Sequence, residues 1–408
     1  FFICSLFESL ANSISWRKGE LEKNQQNSKA KQNHQQNSLF EQEISLYLSV
    51  ANDLYKNLLI VRIRDIDDKI RNLIISSLTN AMIICDVEFL DEQKLKYVGR
   101  ALNDTSSVNR LDAIKFCEKI VLHVITESSD NGNQNENDET KCTISNKKKS
   151  NKKNKSVVLS IEEKNQMNNQ IQNVLIEFSE MYSPRIIEMC NDSNEEVSAE
   201  AISCLGILID KKLINLTECP NIQKLISDDS VIIRESAASF VAKRFFSSNE
   251  NDDIDHFLFF VTNFNIQKEL PFIVSSLYPY LKCLKRWNEM CDRLISEEND
   301  DQSKVISAIL LCSARMVVSQ VENCAKRNNS KTKNSQELIN SEKAMKKSRK
   351  LTTVLIQNLP QLLKAYQSSR NKEIILNLIE VSSLLDLNAI SESSCEKQYV
   401  KLLNQLHE

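Results

Sequence analysis

The feature that most constrains the fold of this chain is a pattern that recurs four times and starts each time at an aspartate. In every copy the residues five, nine and thirteen positions after the aspartate would lie on one face of a helix. The four aspartates are Asp65, Asp104, Asp192 and Asp228. Each would stand where a turn between helices ends, so we expect it to cap the helix that follows.

The spacing of the copies predicts helix pairs stacked in a row. The first two aspartates are 39 residues apart and the last two are 36 apart, just below the period of about 40 to 47 residues of a two-helix HEAT repeat. In three copies the residue at position nine is an alanine, namely Ala113, Ala201 and Ala237, which lets a neighbouring helix approach closely. The sequence therefore predicts an all-α protein, a HEAT-like α-solenoid.

The scarcity of turn residues supports this prediction. The chain has four glycines and five prolines among 408 residues, too few to punctuate a β-sandwich, a barrel or a large α/β sheet. No two glycines lie close enough to form a glycine-rich loop around a phosphate. Phosphate cradles of that kind are therefore excluded.

The net charge limits the possible functions of the chain, and its cysteine usage limits the possible cellular compartments. The net charge is −3 at neutral pH, so the chain is not a globally basic nucleic-acid binder and any DNA contact must come from a local patch. Twelve cysteines are scattered singly along the chain. This usage predicts a reducing compartment, the cytosol or the nucleus, in which the cysteines pack as small apolar residues.

No segment is expected to enter a membrane. The apolar run 46–61 carries Asp53 and Lys56, and the run 257–264 has only eight residues, so neither would span a bilayer. The first residues lack the basic segment of a signal peptide. Both ends of the chain resemble helices cut from a longer protein.

Three polar stretches interrupt the helical periodicity, at 24–37, 127–156 and 326–350. Such compositions bury too little apolar area to offset the entropy of ordering, so we expect disorder or long surface loops, with a helix resuming near Ser341. The predicted segments are 1–45 (N-terminal helix and polar protruding segment), 46–126 (HEAT-like repeats), 127–157 (disordered low-complexity insert), 158–325 (HEAT-like repeats), 326–340 (basic linker) and 341–408 (further helical repeats).

The sequence contains no recognisable catalytic or metal-binding group. None of the four histidines has a partner at metal-ligand spacing, and Cys283 and Cys291 lack a third ligand. The acidic residues before His256 favour a helix N-terminus. We expect no cofactor and no enzymatic activity. Trp16 and Trp287 fall at helical apolar spacing and are expected in the core.

Basic residues of the first repeats are the candidate DNA contacts. Lys96 and Arg100 are four residues apart and would share a helix face, as Arg64 and Arg71 would if the helix already runs through Arg64. The full set is Arg62, Arg64, Arg71, Lys94, Lys96 and Arg100. Ordinary exposed faces would give the same pattern, and Arg71 could instead hold a neighbouring turn. A Lys-rich run at 147–155 is either a nuclear-localisation or nucleic-acid segment or a solvated insert.

The segment 62–104, which contains RIRDIDDKIR and FLDEQKLKYVGRALND, carries the most specific motifs of the chain. It resembles the stromalin conservative domain of the cohesin SA/STAG family, whose pattern runs approximately RYRD, IR, FL-D-x-LKY-x-G-W, D and VRL. Matching residues are Arg62, Arg64, Asp65, Ile70, Arg71, Phe89, Leu90, Leu95, Lys96, Tyr97, Gly99, Asp104, Arg110 and Leu111. Further similarity follows in the same order at 183–202, 240–246, 284–298, 351–366 and 384–391. The chain is identified as an internal fragment of a divergent member, with the conservative domain in segment 46–126.

The resemblance implies a non-catalytic, hook-shaped scaffold. Members of that family hold an extended segment of the kleisin subunit, meet the cohesin ATPase subunits through the kleisin and contact double-stranded DNA. The implied location is the nucleus, on chromatin, and the implied role is to support sister-chromatid cohesion. Another nuclear HEAT or armadillo scaffold, such as a transport receptor or a condensin-type subunit, stays open as the alternative.

The resemblance also implies a groove for short aromatic peptide motifs, and there this chain departs from the family. The family uses a Tyr, a Trp and a Phe, and the matching positions hold Ile63, Arg100 and Tyr182, with Arg64 retained. Because only one of the three positions keeps a ring, we expect aromatic peptides to bind more weakly here than to typical members.

Overall fold

The chain folds into helices connected by short turns. The structure, a computed structural model, describes residues 1–26, 33–130, 161–219, 221–246, 253–297, 299–328, 335–367, 371–392 and 396–407. Within these ranges there is no β-strand, in agreement with the all-α prediction. The chain divides into two compact units, Phe1–Pro220 and Asn221–Glu408.

The first unit is a two-layered stack of helices. Its helices are α1 (Phe2–Gln26), α2 (Asn33–Leu54), α3 (Ile60–Arg62), α4 (Asp68–Ile84), α5 (Asp86–Phe89), α6 (Glu92–Ala101), α7 (Ser107–Asp130), α8 (Ile161–Met189) and α9 (Glu195–Asp210). Helices α1, α4, α7 and α9 pack side by side, and α6 and α8 pack on them as a second layer. A π-helical turn, Tyr55–Leu59, joins α2 to α3.

The second unit repeats this layering. Its helices are α10 (Val231–Phe245), α11 (Ile254–Val261), α12 (Ile266–Leu277), α13 (Trp287–Ser296), α14 (Asp300–Asn328), α15 (Ser335–Tyr366), α16 (Lys372–Ser383), α17 (Leu387–Glu392) and α18 (Glu396–His407). Helices α10, α12, α14 and α16 pack in series, with α13, α15 and α18 as the other layer. The buried Tyr366 hydroxyl donates to the Leu294 carbonyl at 2.6 Å and lies 2.9 Å from the Ser303 hydroxyl, which ties α15 to α13 and α14.

The helix face predicted by the repeat is buried, with one exception. The residues at positions nine and thirteen are at most 3% exposed: Ile74, Leu78, Ala113, Cys117, Ala201, Leu205, Ala237 and Val241. At position five of the first copy, however, Ile70 is 37% exposed. Helix α1 meets α4 further along, where Ser77 donates to the Cys4 carbonyl, so the first turn of α4 stays open on that side.

The sequence analysis expected each repeated aspartate to cap the helix that follows, and this expectation is wrong. The aspartates instead shape the turn before each helix. Each carboxylate accepts a hydrogen bond from the backbone NH two residues further on, at 2.8 to 3.0 Å. The residue that donates this NH can itself be the helix cap. The Asp67 side chain caps α4, and the Asn194 side chain caps α9. The aspartates therefore form Asx turns and precede the caps by two positions.

Two arginines connect consecutive repeats through these aspartates. Nε and Nη2 of Arg71 donate to both carboxylate oxygens of Asp104 at 2.8 and 2.7 Å, while Nη1 donates to two carbonyls of its own turn. Arg110 binds Asp192 in the same way, at 2.8 and 2.7 Å. All four side chains are at most 13% exposed. We refer to these two pairs as the Arg–Asp ladder.

The ladder crosses the long gap between the second and third copies. Arg110 and Asp192 are 82 residues apart in sequence, and residues 131–160 between them lie outside the described part of the chain. Helices α7 and α9 nevertheless pack directly on each other. In the third copy Ser198 takes the place of the arginine, and its hydroxyl donates to the Cys190 carbonyl.

The Gln- and Asn-rich stretch 24–37 is mostly helical, which corrects the expectation of disorder or a loop. Helices α1 and α2 cover all of it except residues 27–32, which lie outside the described residues. The side-chain amide of Asn24 donates to the side-chain oxygen of Asn37 at 3.1 Å. Packing of α1 against α2 stabilises helical turns that composition alone does not predict.

The other two polar segments are also shorter than predicted. Helix α7 continues to Asp130, into the predicted insert, and α14 and α15 leave only 329–334 of the predicted linker 326–340 outside the described residues. The added residues of α14 and α15 include Lys, Arg, Gln, Glu and Leu, which are good helix formers. The remainder of the insert, with the Lys-rich run 147–155, also lies outside the described residues.

Trp16 lies on the surface, contrary to the expectation that both tryptophans are in the core. Its side chain is 58% exposed, whereas Trp287 is 3% exposed. The Trp16 ring meets Phe40 edge-on at 6.1 Å and lies 5.6 Å from the Arg17 guanidinium. Helical spacing placed Trp16 among the apolar positions of α1. It did not show whether other helices would cover that side of the α1–α2 pair.

The cysteines pack as the sequence predicted. Among the ten described cysteines nine are buried, and none is in a disulfide. Burial raises the pKa of Cys117 and Cys291 to about 12. They are therefore small core residues with little thiolate character.

Among the helices that the structure describes, one is long and apolar enough to cross a bilayer by length and composition alone, the stretch Asp300–Lys326 of α14. The sequence analysis did not identify it. Half of its apolar window is buried inside the structure, and α14 packs against α12, α15 and α16. Ile306, Ile309 and Leu310 are fully buried there, so the core of the second unit accounts for this apolar stretch.

Candidate functional site

A cleft between α6 and the turn that joins α3 to α4 contains four of the eight predicted site residues. Its volume is about 230 Å³, and its lining is Ile63, Arg64, Arg71, Ile75, Tyr97, Arg100, Ala101, Asn103 and Asp104. Helix α3 ends at Arg62 and α4 begins at Asp68, so no helix runs through Arg64. The alignment of Arg64 with Arg71 along one helix is therefore wrong, and the turn brings the two residues to the same cleft instead.

Three of the candidate DNA contacts are exposed cations without an ion pair among the described residues. They are Arg64, Lys96 and Arg100. Lys96 and Arg100 are one turn apart on α6. Arg100 lines the cleft, and Lys96 lines a second, smaller pocket between α6 and α8. Arg62 is also exposed, but it donates to the Asp65 carboxylate at 2.8 Å.

Two other candidates are not available to a phosphate, which corrects the prediction for them. Arg71 is held by Asp104 in the Arg–Asp ladder. Lys94 is 6% exposed; its ammonium binds Asp91 and lies 5.4 and 5.8 Å from the ring centres of Tyr55 and Phe89. Because Arg71 and Lys94 are largely buried and already paired with carboxylates, a DNA phosphate could not reach them.

The four peptide-groove candidates are divided between the two sides of α6. Ile63, Arg64 and Arg100 line the cleft. Tyr182 lies on α8, where it lines a second, smaller pocket of about 120 Å³ between α6 and α8. Its ring packs against Phe178 with the ring centres 4.7 Å apart.

Tyr97 is a cleft residue that the sequence analysis missed. Its ring lines the cleft beside Arg100, whose guanidinium lies 5.6 Å from the ring centre. Tyr55 packs edge-on against the Tyr97 ring at 6.4 Å. The spacing of three residues between Tyr97 and Arg100 on one helix was the signal that could have paired them.

The described side chains include no group of three or more His, Cys, Asp or Glu residues that could hold a metal ion. Asp253 caps α11 and accepts a hydrogen bond from the backbone NH of His256 at 2.6 Å. This contact confirms that the acidic residues before His256 mark a helix N-terminus.

Stacked helix pairs in two layers define a HEAT-repeat protein. Two family models match this chain. The stromalin conservative domain matches residues 64–130, and the HEAT-repeats domain of cohesin subunit SCC3/SA matches residues 272–408. The chain belongs to the SCC3/SA family of cohesin subunits, as the resemblance indicated. The subunits of this family are not enzymes, in agreement with the expectation for this chain.

Similar proteins come from distant organisms. Cohesin subunit SA-1 of Xenopus laevis is 20% identical over 88% of this chain and 26% of that protein. Sister-chromatid cohesion protein 3 of Arabidopsis thaliana is 20% identical over 89% of this chain and 30% of that protein. Cohesin subunit SA-3 of Mus musculus is 22% identical over 88% of this chain and 27% of that protein. The chain thus spans less than a third of the length of these relatives.

A solved structure supports the solenoid. The cohesin subunit Scc3 from Z. rouxii, residues 88–1035, matches with a TM-score of 0.59 at 17% identity, over 99% of this chain and 45% of that chain. At this identity the match supports the fold, an α-solenoid of HEAT repeats.

Gly99 permits the close packing of α6 and α8. A Cβ atom at this position would lie 2.1 Å from the Tyr182 ring, far inside van der Waals contact. The Tyr182 hydroxyl donates to the Lys96 carbonyl at 3.4 Å, so the ring is held against α6.

Substitution of this glycine tests that packing. We expect Gly99→Ala to lower the free energy of unfolding by about 1 to 3 kcal/mol because the Tyr182 ring or α8 must move to make room for the methyl group. Gly19 on α1 is the matched control, because a Cβ there would meet nothing within 4 Å. Gly19→Ala should raise the stability by about 0.5 to 1 kcal/mol, the usual gain from replacing glycine in a helix. Urea denaturation measures both, and equal effects at the two positions would contradict the packing.

Proposed function

We propose that this chain is part of a nuclear, chromatin-associated cohesin subunit that binds the kleisin subunit and double-stranded DNA and supports sister-chromatid cohesion. The observation that carries the DNA part is the exposed group Arg64, Lys96 and Arg100, which has no ion pair among the described residues. A phosphate contact needs only a cation on a rigid element. These three cations lie on α6 and on the turn packed beside it, so a duplex could meet them together.

Charge reversal on α6 tests DNA binding. The variant Lys96→Glu/Arg100→Glu should weaken binding to duplexes of any sequence. The slope of log affinity against log salt should become shallower by roughly two units, because each phosphate contact contributes about −0.9. The control is Lys115→Glu/Lys119→Glu, an exposed pair with the same spacing on α7. If both variants keep the parent affinity at every salt concentration, α6 does not bind DNA.

The kleisin part of the proposal is supported by the family and by the fold. A stack of helix pairs offers a long surface on which an extended partner can lie. The ATPase subunits would then be reached through the kleisin, without direct contact to this chain.

Affinity purification of the protein from its own cells tests this part. After nuclease treatment, which removes DNA as a bridge, we expect the kleisin and the two ATPase subunits to co-purify with it. Recovery of the protein without a kleisin would contradict the proposal and would favour another nuclear scaffold.

A further inference from the structure

Arg234, in the fourth copy of the repeat, has the same local geometry as the two arginines of the Arg–Asp ladder. Its Nη1 donates to the carbonyls six and five residues earlier, those of Asp228 and Asp229, at 2.6 and 2.8 Å. Arg71 and Arg110 bind the carbonyls at the same two positions of their own turns. The guanidinium of Arg234 is therefore oriented by its own turn. Its Nε and Nη2, the two nitrogens that hold an aspartate in the ladder, remain for another partner.

The following helix pair brings no carboxylate to these two nitrogens of Arg234. The turn that precedes α12, residues 262–265, contains neither aspartate nor glutamate. Glu269 on the first turn of α12 is engaged elsewhere, because its carboxylate oxygens accept hydrogen bonds from the Ser227 hydroxyl and from the Asn265 backbone NH. Within the described part of the chain, the printed contacts of the Arg234 guanidinium are the two carbonyls of its own turn and one aromatic ring. An external carboxylate could therefore bind without displacing an existing partner.

The surroundings of Arg234 combine the aromatic ring with exposed apolar surface and a second cation. Cζ of Arg234 lies 4.9 Å from the centre of the Phe272 ring, and a guanidinium held in this way loses less freedom when it binds a ligand. Phe272 is 38% exposed, and Val231, one helical turn before Arg234, is 56% exposed. Lys268, one turn before Phe272 on α12, is exposed and has no ion pair among the described residues. A carboxylate at Arg234 would therefore have apolar surface beside it.

We propose that Arg234 binds an aspartate or glutamate side chain of a partner protein, which takes the place that an aspartate of the next repeat takes in the ladder. Arg71 and Arg110 show that this geometry accepts a carboxylate, because each holds one through Nε and Nη2 at 2.8 and 2.7 Å. Phe272 and Val231 contact the apolar residues beside the carboxylate. These exposed apolar side chains favour a protein over DNA, because a phosphodiester backbone has no apolar group to place on them.

This site is separate from the surface to which DNA binding is assigned. Arg234 lies on α10 in the second unit, whereas Arg64, Lys96 and Arg100 belong to the first unit. The inference therefore goes beyond the proposed function and does not depend on it. Loss of the site would leave the proposed binding of DNA unchanged, so the two are tested independently.

Peptides that differ in one group test the class of ligand. Four labelled peptides share one sequence with leucine on both sides of the centre and carry aspartate, glutamate, asparagine or phosphoserine at the centre. Fluorescence anisotropy measures their binding to the 408-residue chain. We expect at least one carboxylate peptide to bind with a Kd below about 1 mM and at least tenfold tighter than the asparagine peptide. Weaker binding, no difference from asparagine, or a phosphoserine peptide at least tenfold tighter than both carboxylate peptides would overturn the proposal.

Variants of Arg234 locate the binding of the carboxylate peptide. Arg234→Gln removes the charge, and Arg234→Lys keeps the charge but removes the planar pair of donors, so we expect losses of at least tenfold and at least fivefold. The control is Lys346→Gln on α15, an exposed cation of the same unit without an ion pair among the described residues, and its affinity should stay within twofold of the parent. If Arg234→Gln keeps the parent affinity, or if the control loses as much, the peptide binds elsewhere and the proposal is wrong.

A measurement on the parent chain covers the case in which the variants of Arg234 do not fold. Hydrogen exchange of the backbone amides is compared with and without the carboxylate peptide. We expect slower exchange in the first turns of α10 and α12, because the ligand connects Arg234 to the surface around Phe272. Unchanged exchange in both turns while the peptide is bound would contradict the proposal.

Discussion

The Arg–Asp ladder is the interaction on which the rest of the first unit depends. Each arginine binds carbonyls of its own turn with one nitrogen and the aspartate of the next repeat with the other two. The shape of one turn and the position of the next repeat are therefore coupled through one side chain. Burial alone would raise the pKa of Asp104 and Asp192, but the hydrogen bonds from Arg71, Arg110 and backbone NH groups lower both pKa values. Such a buried pair fixes geometry more than it adds net stability, because desolvation offsets much of the attraction.

The ladder also determines which cations remain available for binding. Arg71 and Asp104 form one wall of the cleft and neutralise each other, so the charge of the cleft comes from Arg64 and Arg100. Helix α6 packs between α4 and α7, the two helices whose turns the pair Arg71–Asp104 connects. Within one sequence motif, Arg71 therefore connects two repeats, whereas Arg64 stays exposed.

Local patterns in the sequence were sufficient for the fold. The offsets of nine and thirteen residues and the alanines at position nine identified the buried helix face because helical periodicity is a local property. The mostly helical 24–37 stretch was missed because its order depends on packing between α1 and α2, and the sequence does not show that packing. The same reason explains why Trp16 was placed in the core.

The candidate site was predictable only in part. Arg64, Lys96 and Arg100 were identified from charge and from the family pattern. Lys94 could not be told apart from them by sequence, since only the structure shows it under the rings of Tyr55 and Phe89. Tyr97 was overlooked because its place in the cleft depends on the turn that interrupts the helix before α4. The sequence analysis failed at residues such as Lys94 and Tyr97, whose surroundings depend on contacts between distant parts of the chain.

A double-mutant cycle on Arg110 and Asp192 tests the central role of the ladder most directly. Urea denaturation would give the free energy of unfolding of the parent, Arg110→Met, Asp192→Asn and the double variant. Each single substitution should cost about 3 kcal/mol because it leaves a buried group without its partner, and the coupling between them should be at least about 1 kcal/mol. Arg62→Met is the control, since its pair with Asp65 has a 67% exposed arginine side chain and should be worth less than about 1 kcal/mol. Additive losses no larger than that of the control would contradict the account.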